Sequence, residues 1–252
     1  MKKNIKRMPR IYINDEIKVN KEISITDEKK HYLFSVMRIK IKDKINIFNN
    51  TNYVFTAKII NLKKKKVIVR IINKKKKDNE SFLKINLGQS ISRNKSMSWI
   101  IQKSSELGVH SITPLICKNS YLKYNKNSII KKIKKWKKIS ISASEQCERN
   151  LITKILYPKK LKNWINSLNS GKKIIFTPNK ISNKIKTLKK NFNIINILIG
   201  SEKGFSKKEI KLCLKNKFIH MNLGNRILRT ETACLTAISI LQYKYGDLNI
   251  FN

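Results

Sequence analysis

Hydrophobic and polar positions follow two different rhythms, which change near residue 80. In the first part, short segments rich in Ile, Val, Phe and Tyr are separated by turn residues, a pattern that predicts β-strands. These predicted strands cover residues 10–13, 44–48, 53–60 and 66–72. Residues 27–38 (DEKKHYLFSVMR) have helical spacing, so this part is predicted to be a small β-barrel with one helix. The lysine-rich stretch 73–79 is predicted to be a linker.

From residue 82 onward, short apolar runs alternate with segments of helical periodicity. Strands are predicted over residues 84–91, 111–117, 172–177, 194–199 and 218–223. Helices are predicted over residues 96–107, 128–144 and 230–245, with Gly108 as a left-handed stop after the first. Alternating strands and helices predict an α/β domain with a mostly parallel sheet.

The charge of the chain indicates what it binds. With 57 Lys and Arg against 15 Asp and Glu, the formal net charge is +42. A surface with such an excess attracts polyanions, which makes nucleic acid the first partner to consider. A compositional bias towards Lys, Ile and Asn explains part of the same excess, and the sequence leaves both explanations open.

Several classes of protein are disfavoured by what the sequence lacks. The four cysteines are widely spaced, with no CxxC pair and only three histidines, so we expect neither a zinc site nor a disulfide framework. No phosphate loop, dinucleotide fingerprint or nucleophile elbow is present. The first residues lack an apolar leader core, and no stretch is long enough to span a bilayer. We expect a soluble, cytoplasmic protein without a metal.

Two glycine-containing motifs near the C-terminus are candidates for a ligand site. Residues 198–206 (LIGSEKGFS) and 223–235 (LGNRILRTETACL) each run from a predicted strand through a turn into a predicted helix. Ser206 is a candidate N-cap, and Glu231 stands at a helix start, where the dipole favours a carboxylate. Ligands of open α/β sheets bind beyond the carboxyl ends of strands. Each motif alone is equally typical of an ordinary turn.

A resemblance to a known family covers the chain from end to end. It is carried by MPRIYI at residues 8–13, LGQSISRNKSMSWIIQKSSELGV at 87–109, ITPL at 112–115, SASEQCERN at 142–150, LIGSEKGFS at 198–206 and LGNRILRTETACLTAISILQYKYGDL at 223–248. In this order, the segments resemble the bacterial 16S rRNA uridine N3-methyltransferases of the SPOUT superfamily. The last block is the most specific.

The resemblance implies a fold, a cofactor and an assembly. Residues 1–73 would form a PUA-like RNA-binding β-barrel, and residues 80–252 a SPOUT α/β domain whose C-terminal chain threads a deep trefoil knot. The enzyme would be a homodimer that binds S-adenosylmethionine at the knot. The residues implied to surround the cofactor are Leu198, Gly200, Gly204, Leu223, Gly224, Ile227 and Leu228.

The resemblance also implies a substrate, from which we derive a mechanism as a hypothesis. The methyl group would go to N3 of uridine 1498 (usual 16S numbering), within the 30S subunit. Arg229 would orient the phosphate or the uracil oxygens and stabilise the developing anion. Glu231 would accept the N3 proton, directly or through water. The candidate RNA contacts, each of which could equally be an ordinary surface residue, are Arg7, Arg10, Arg38, Arg93, Arg149 and Arg226.

One departure from the family pattern affects the first motif. Similar proteins have GPEGG where this chain has Gly-Ser-Glu-Lys-Gly at residues 200–204. If the replaced glycine required a positive φ, Lys203 would add roughly 1 kcal/mol of left-handed strain. A non-catalytic RNA-binding or ribosome-assembly protein derived from this family is therefore the alternative function. A generic basic nucleic-acid binder and a SPOUT enzyme with another RNA target are further alternatives.

Overall fold

A computed structural model describes residues 8–121, 126–178 and 192–249. The chain divides into two compact units. The first unit contains the residues up to Glu80 together with Ser144–Leu151, and the second contains Ser81–Ala143 and the residues from Ile152 onward. The segment Ser144–Leu151, which we predicted to lie in the second domain, thus belongs to the first unit.

The first unit contains a five-stranded sheet. Its strands are β1 (Arg10–Tyr12), β2 (Glu22–Ile25), β3 (Lys44–Phe48), β4 (Tyr53–Leu62) and β5 (Val67–Lys76), in the order β1-β3-β4-β5-β2. Only β1 and β3 pair in parallel; the other neighbours are antiparallel. Alternate residues of β4 point inward, so Phe55, Ala57 and Ile59 are buried while Lys58 is exposed. This period of two is what the apolar pattern predicts for a strand with one buried face.

The helix between β2 and β3 is shorter than we predicted. It comprises α1 (Asp27–His31) and continues as a π-helical turn, Tyr32–Val36, rather than running as one helix to Arg38. Arg38 has a positive φ of 49°, which ends helical geometry. Our sequence analysis also missed β2, whose four residues EISI are too short for a clear alternation.

The prediction of a linker at residues 73–79 is wrong for most of its length. Strand β5 continues to Lys76, and its residues 73–76 pair with residues 53–56 of β4 beyond a register shift. The lysine side chains are exposed in this strand, and the Lys74 ammonium lies 4.0 Å from the centre of the Tyr53 ring. Backbone pairing does not require apolar side chains at exposed positions, so a lysine run is compatible with a strand.

The second unit is a parallel sheet with helices on both faces. Its strands are β6 (Lys84–Ser90), β7 (Ser111–Ile116), β8 (Lys154–Ile155), β9 (Lys159–Lys160), β10 (Lys172–Phe176), β11 (Ile194–Ile199) and β12 (Ile219–Met221). The order is β12-β10-β11-β6-β7-β8, with β9 also paired to β7, and all the pairs are parallel. This confirms the predicted α/β class with a parallel sheet.

Among the described residues of this unit, five helices pack on the sheet. They are α2 (Asn94–Glu106), α3 (Lys126–Cys147), α4 (Leu161–Asn166), α5 (Lys207–Lys215) and α6 (Thr230–Tyr245). Alternate residues of the strands feed two apolar clusters: Ile197 packs with side chains of α2, α3 and α6, whereas Leu198 packs with those of α4 and α5. Helix α2 ends near Gly108, which has a φ of 80°, as the left-handed stop predicts.

Candidate active site

A cleft lies beyond the carboxyl ends of three neighbouring strands, β12, β10 and β11. Its volume is about 820 Å³, within the range of small-molecule and cofactor sites. Its walls are two loops, residues 200–206 (the first loop) and 222–229 (the second loop), with the end of β10 and the starts of α2 and α6. Neighbouring parallel strands end at the same edge of a sheet, which is why motifs distant in sequence meet here.

The first loop is anchored at its far end by a capped helix. Ser206 Oγ accepts a hydrogen bond from the Glu209 N–H at 3.3 Å, and Glu209 Oε2 accepts one from the Ser206 N–H at 2.8 Å. This reciprocal capping box satisfies donors at the start of α5 and confirms Ser206 as the N-cap. Within the loop, Gly204 has a φ of 62° and thereby supplies the left-handed bend.

The strain considered for Lys203 does not occur. Lys203 has no positive φ, because the left-handed position of the loop is occupied by the retained Gly204. The departure from the family pattern therefore changes a side chain without forcing the backbone into a disfavoured region.

A buried hydrogen-bond network holds the near end of the first loop. The Gly200 carbonyl accepts from Thr230 Oγ1 at 2.5 Å and from Gln89 Nε2 at 3.2 Å. Gln89 Nε2 also donates to Thr230 Oγ1 at 3.2 Å, and both side chains are buried. The network therefore joins the end of β6, the first loop and the first residue of α6, which brings the two glycine motifs together.

The second loop presents charged and apolar side chains at the cleft. Arg229 is the N-cap residue of α6 and is exposed, and Glu231 lies half-buried in the first turn of that helix. A carboxylate in the first turn is favoured by the helix dipole. Gly224 has a φ of 93°, and Ile227 is 87% exposed. An apolar residue this exposed at the edge of a cleft is available to a ligand or a partner.

The end of β10 contributes residues that our sequence analysis missed. Phe176, Thr177 and Pro178 line the cleft. Thr177 Oγ1 is hydrogen-bonded to His220 Nε2, and burial lowers the pKa of that imidazole below its usual value. No sequence signal marked this role, because the end of this apolar run carries neither a glycine nor a charged residue and its place beside the glycine loops depends on the strand order of the sheet.

Most of the residues that the resemblance assigns to the cofactor line this cleft: Gly200, Gly204, Leu223, Gly224, Ile227 and Leu228. Leu198 is different, since it is fully buried in the apolar cluster beneath the loop. Arg229 and Glu231 also line the cleft. The roles of these residues remain predictions.

The six arginines predicted to contact RNA have different surroundings. Arg93 and Arg226 line the cleft, and Arg38 is exposed in the first unit. Arg7 lies outside the described residues.

The other two arginines are in the interior of the first unit. Arg10 is 7% exposed, and its Nη2 donates to the Arg149 carbonyl and to Asn150 Oδ1, both at 2.6 Å. Arg149 is 5% exposed and binds both carboxylate oxygens of Glu80, at 3.1 and 2.5 Å. Their guanidinium groups hold segments of the unit together, which is inconsistent with RNA contact. Each arginine uses its planar guanidinium group for hydrogen bonds inside the unit. Because a surface arginine that binds RNA would use the same group, the sequence pattern alone could not distinguish the two cases.

Three of the four cysteines are buried in the second unit. Burial raises the pKa of the Cys117, Cys213 and Cys234 thiols to about 12, so they are not thiolates at neutral pH. Across the ranges that the structure describes, no group of three or more His, Cys, Asp or Glu side chains could hold a metal. No described helix is both long and apolar enough to cross a membrane.

Two family models match the chain. One for an RNA methyltransferase domain matches residues 79–242, and one for an RNA methyltransferase PUA domain matches residues 25–72. Together with the parallel sheet and the cleft at its carboxyl edge, these matches define the class: an RNA methyltransferase fold preceded by a PUA-like domain.

Similarity to individual relatives identifies the family within this class. Ribosomal RNA small subunit methyltransferase E of Buchnera aphidicola (from Acyrthosiphon pisum) is 46% identical over 96% of both chains. A ribosomal RNA small subunit methyltransferase E from Neisseria gonorrhoeae, solved with S-adenosyl methionine, is 31% identical with a TM-score of 0.89, covering 96% of this chain and 99% of that one. A Legionella pneumophila methyltransferase structure with bound SAM is 38% identical, with a TM-score of 0.92, covering 96% and 100%. The chain belongs to the ribosomal RNA small subunit methyltransferase E family.

Proposed function

We propose that this protein transfers a methyl group from S-adenosylmethionine to N3 of uridine 1498 in 16S rRNA. The observation that carries the proposal is the single cleft that joins both glycine loops to Arg229 and Glu231. Its support from relatives is the family itself, together with two similar structures that contain the cofactor.

The cleft fits the proposed cofactor in size and in chemistry. A volume of about 820 Å³ suits a nucleoside with an amino-acid side arm. Its walls combine apolar surfaces, such as Phe176, Leu223 and Ile227, with backbone groups of the two loops. When bound, the cofactor supplies a methyl group on a sulfonium centre, so the chain needs no nucleophile of its own.

The residues at the cleft edge then act on the uridine. N3 of uracil carries a proton and is hidden in paired RNA, so the nucleotide enters single-stranded or flipped out. Glu231 takes the N3 proton, directly or through water. Arg229, exposed at the start of α6, orients the uracil oxygens or the phosphate and stabilises the anion that develops. With both ligands bound, the residues around the cleft would orient the methyl donor and the uracil towards each other.

The two domains divide the work. We assign RNA binding to the first unit, which contains the PUA-like barrel, and methyl transfer to the second unit. Arg38 on the first domain, with Arg93 and Arg226 at the cleft, contacts RNA phosphates, since each of these side chains is exposed. Because the substrate is ribosomal RNA, we place the activity in the cytoplasm.

Two further features belong to this proposal. The chain from residue 198 onward threads a trefoil knot of the SPOUT type, and the contacts of Gly200 with Thr230 and Gln89 are compatible with the close crossing that a knot requires. The enzyme works as a homodimer. In support, the second unit exposes large apolar side chains on α2, α6 and the second loop, which a second copy would cover: Trp99, Ile227 and Tyr243.

The test is methyl incorporation from labelled S-adenosylmethionine into unmodified 30S subunits, with the modified base located by mass spectrometry. We expect one methyl per subunit, on N3 of uridine 1498. A methyl at another position would change the target. Subunit binding without incorporation would favour the non-catalytic RNA-binding alternative.

A further inference from the structure

A short turn after β7 lies against the first loop and is bonded to it in both directions. Ser201 Oγ donates a hydrogen bond to the Asn119 carbonyl at 2.7 Å. In return, Asn119 Nδ2 donates to the Lys203 carbonyl at 3.2 Å and, at the long limit, to the Gly204 carbonyl at 3.4 Å. Ser201 is only 6% exposed, so its hydroxyl is committed to this contact rather than to water.

The turn that carries Asn119 is itself fixed. Ser120 Oγ donates to the Leu115 carbonyl at 3.1 Å and accepts from the Cys117 N–H at 2.8 Å. The Lys118 N–H donates to Glu209 Oε1 at 2.7 Å, and Glu209 is also the capping residue of α5. A side chain on such a turn can hold a loop in place, because its own backbone has little freedom to follow that loop.

These contacts determine which way the loop peptides face. A peptide unit is planar, so fixing a carbonyl oxygen also fixes the N–H on the opposite side of the same unit. Asn119 draws the carbonyls of Lys203 and Gly204 towards the turn, while the Gly204 N–H donates to the Ser201 carbonyl at 2.8 Å. The left-handed φ of 62° at Gly204 is held by contacts on both of its flanking peptides.

We propose that Asn119 and Ser201 are positioning residues for the cofactor and form a latch that keeps the first loop in its binding conformation. The proposal rests on the function proposed above. Neither residue needs to take part in methyl transfer; both act through the backbone of residues 200–204, which line the cleft. The latch supplies, through side chains, rigidity that the loop lacks where Ser201 stands in place of the family's proline.

The variant Asn119→Asp tests whether the loop is held by the hydrogen-bond donor of Asn119 or by the space that its side chain fills. It keeps the shape of Asn119 but replaces the Nδ2 donor with a carboxylate oxygen facing two carbonyls. We expect the dissociation constant for S-adenosylmethionine, measured by calorimetry, to rise by about tenfold or more. The reason is that repulsion between the carboxylate and the carbonyl oxygens replaces a hydrogen bond. For Asn119→Ala and for Ser201→Ala we expect a rise of about three- to tenfold. The KM for the cofactor should rise in parallel, while kcat at saturating cofactor stays at the wild-type value.

Two matched control variants remove the same kinds of side-chain hydrogen bond at other positions in the fold. Asn216 Nδ2 donates to the Leu212 carbonyl at 2.9 Å, and Ser167 Oγ donates to the Trp164 carbonyl at 2.8 Å. Asn216→Ala and Ser167→Ala should leave the cofactor affinity unchanged, and melting temperatures show whether every variant is folded.

The outcomes distinguish the two proposals. If the wild-type protein binds S-adenosylmethionine and Asn119→Asp binds it equally well, the latch is refuted and the proposed function stands. If the variants lose kcat rather than affinity, the two residues do not act by positioning the cofactor loop. A folded wild-type protein that does not bind the cofactor refutes the proposed function and the latch with it.

Discussion

The two loops that line the cleft differ in how they are held. In the first loop, three successive residues are hydrogen-bonded to other elements. The Gly200 carbonyl accepts from Gln89 and Thr230, Ser201 donates to Asn119, and Glu202 Oε1 accepts from the Arg93 N–H at 3.1 Å. The second loop instead exposes its side chains, with Ile227 at 87%.

This difference indicates a division of labour within one site. A loop whose backbone is already fixed binds a ligand without a further loss of conformational entropy, as a preformed cofactor cradle should. A loop with exposed apolar and basic side chains is suited to partners that arrive from solution, such as the proposed RNA substrate and the proposed second subunit. Removing the hydrogen bonds that hold the first loop should therefore lower cofactor affinity, whereas removing the exposed arginines of the second loop should lower turnover and RNA binding.

The largest effect is expected in the second loop. Arg229→Ala removes the guanidinium proposed to stabilise the developing anion, and we expect kcat to fall by about 10²–10³. The dissociation constant for S-adenosylmethionine should remain within about twofold of wild type, because the first loop is untouched. Single-turnover methylation of 30S subunits measures the first quantity and calorimetry the second.

Arg70→Ala serves as the control for charge removal, since Arg70 lies in the first unit and is paired with Glu22 at 2.7 Å. Near-normal turnover in Arg229→Ala would remove this residue from the mechanism. A large loss of cofactor affinity in the same variant would contradict the division of labour between the loops.

An intermediate effect is expected where the loops meet. Thr230→Val keeps the shape of the side chain but removes the hydroxyl that donates to the Gly200 carbonyl at 2.5 Å. Leaving that half-buried carbonyl with a weaker set of partners should lower the free energy of unfolding by about 1–3 kcal/mol. The same change should weaken cofactor binding, because it frees the near end of the first loop. Denaturant unfolding and calorimetry measure the two effects.

Thr230→Ser retains the hydroxyl and is the conservative comparison for this variant. It should restore cofactor affinity even if the missing methyl group costs some stability. Equal affinity and stability in Thr230→Val and wild type would show that this junction does not support the loop.

The smallest effect is expected at the position where the chain departs from its family pattern. Lys203→Gly should leave the dissociation constant for S-adenosylmethionine within about twofold of wild type, because Lys203 has no positive φ that a glycine would relieve. A glycine there loses more conformational freedom on folding, so stability should fall by roughly 0.5–1 kcal/mol. Cofactor binding tighter by tenfold in Lys203→Gly would show that the lysine strains the loop after all.

The strands and helices that could be predicted are those with a strong local period. The alternation in β4, the apolar run of β11 and the helical stripe of α2 depend only on neighbouring residues, so they are visible in the sequence. Strand β2 and the end of β5 were missed or misassigned because their pairing is with distant residues and their own side chains are mostly polar.

The candidate site was predictable to the same extent. The glycine motifs and Ser206 have local signatures, and the family resemblance pointed to Arg229 and Glu231. The sequence could not indicate that Phe176, Thr177 and Pro178 belong to the cleft, since β10 becomes a neighbour of β11 and β12 only in the folded sheet.

The α/β class of the second unit, the capped start of α5, the left-handed stop at Gly108 and the family could all be inferred from the sequence. Each of these rests on short-range patterns or on the identity of residues in order. Only the folded structure shows that Arg10 and Arg149 are interior while Arg93 and Arg226 face the cleft, and that Asn119 is hydrogen-bonded to a loop more than 80 residues away. Burial and long-range hydrogen bonding depend on which segments meet, and a parallel sheet joins segments that are far apart in sequence.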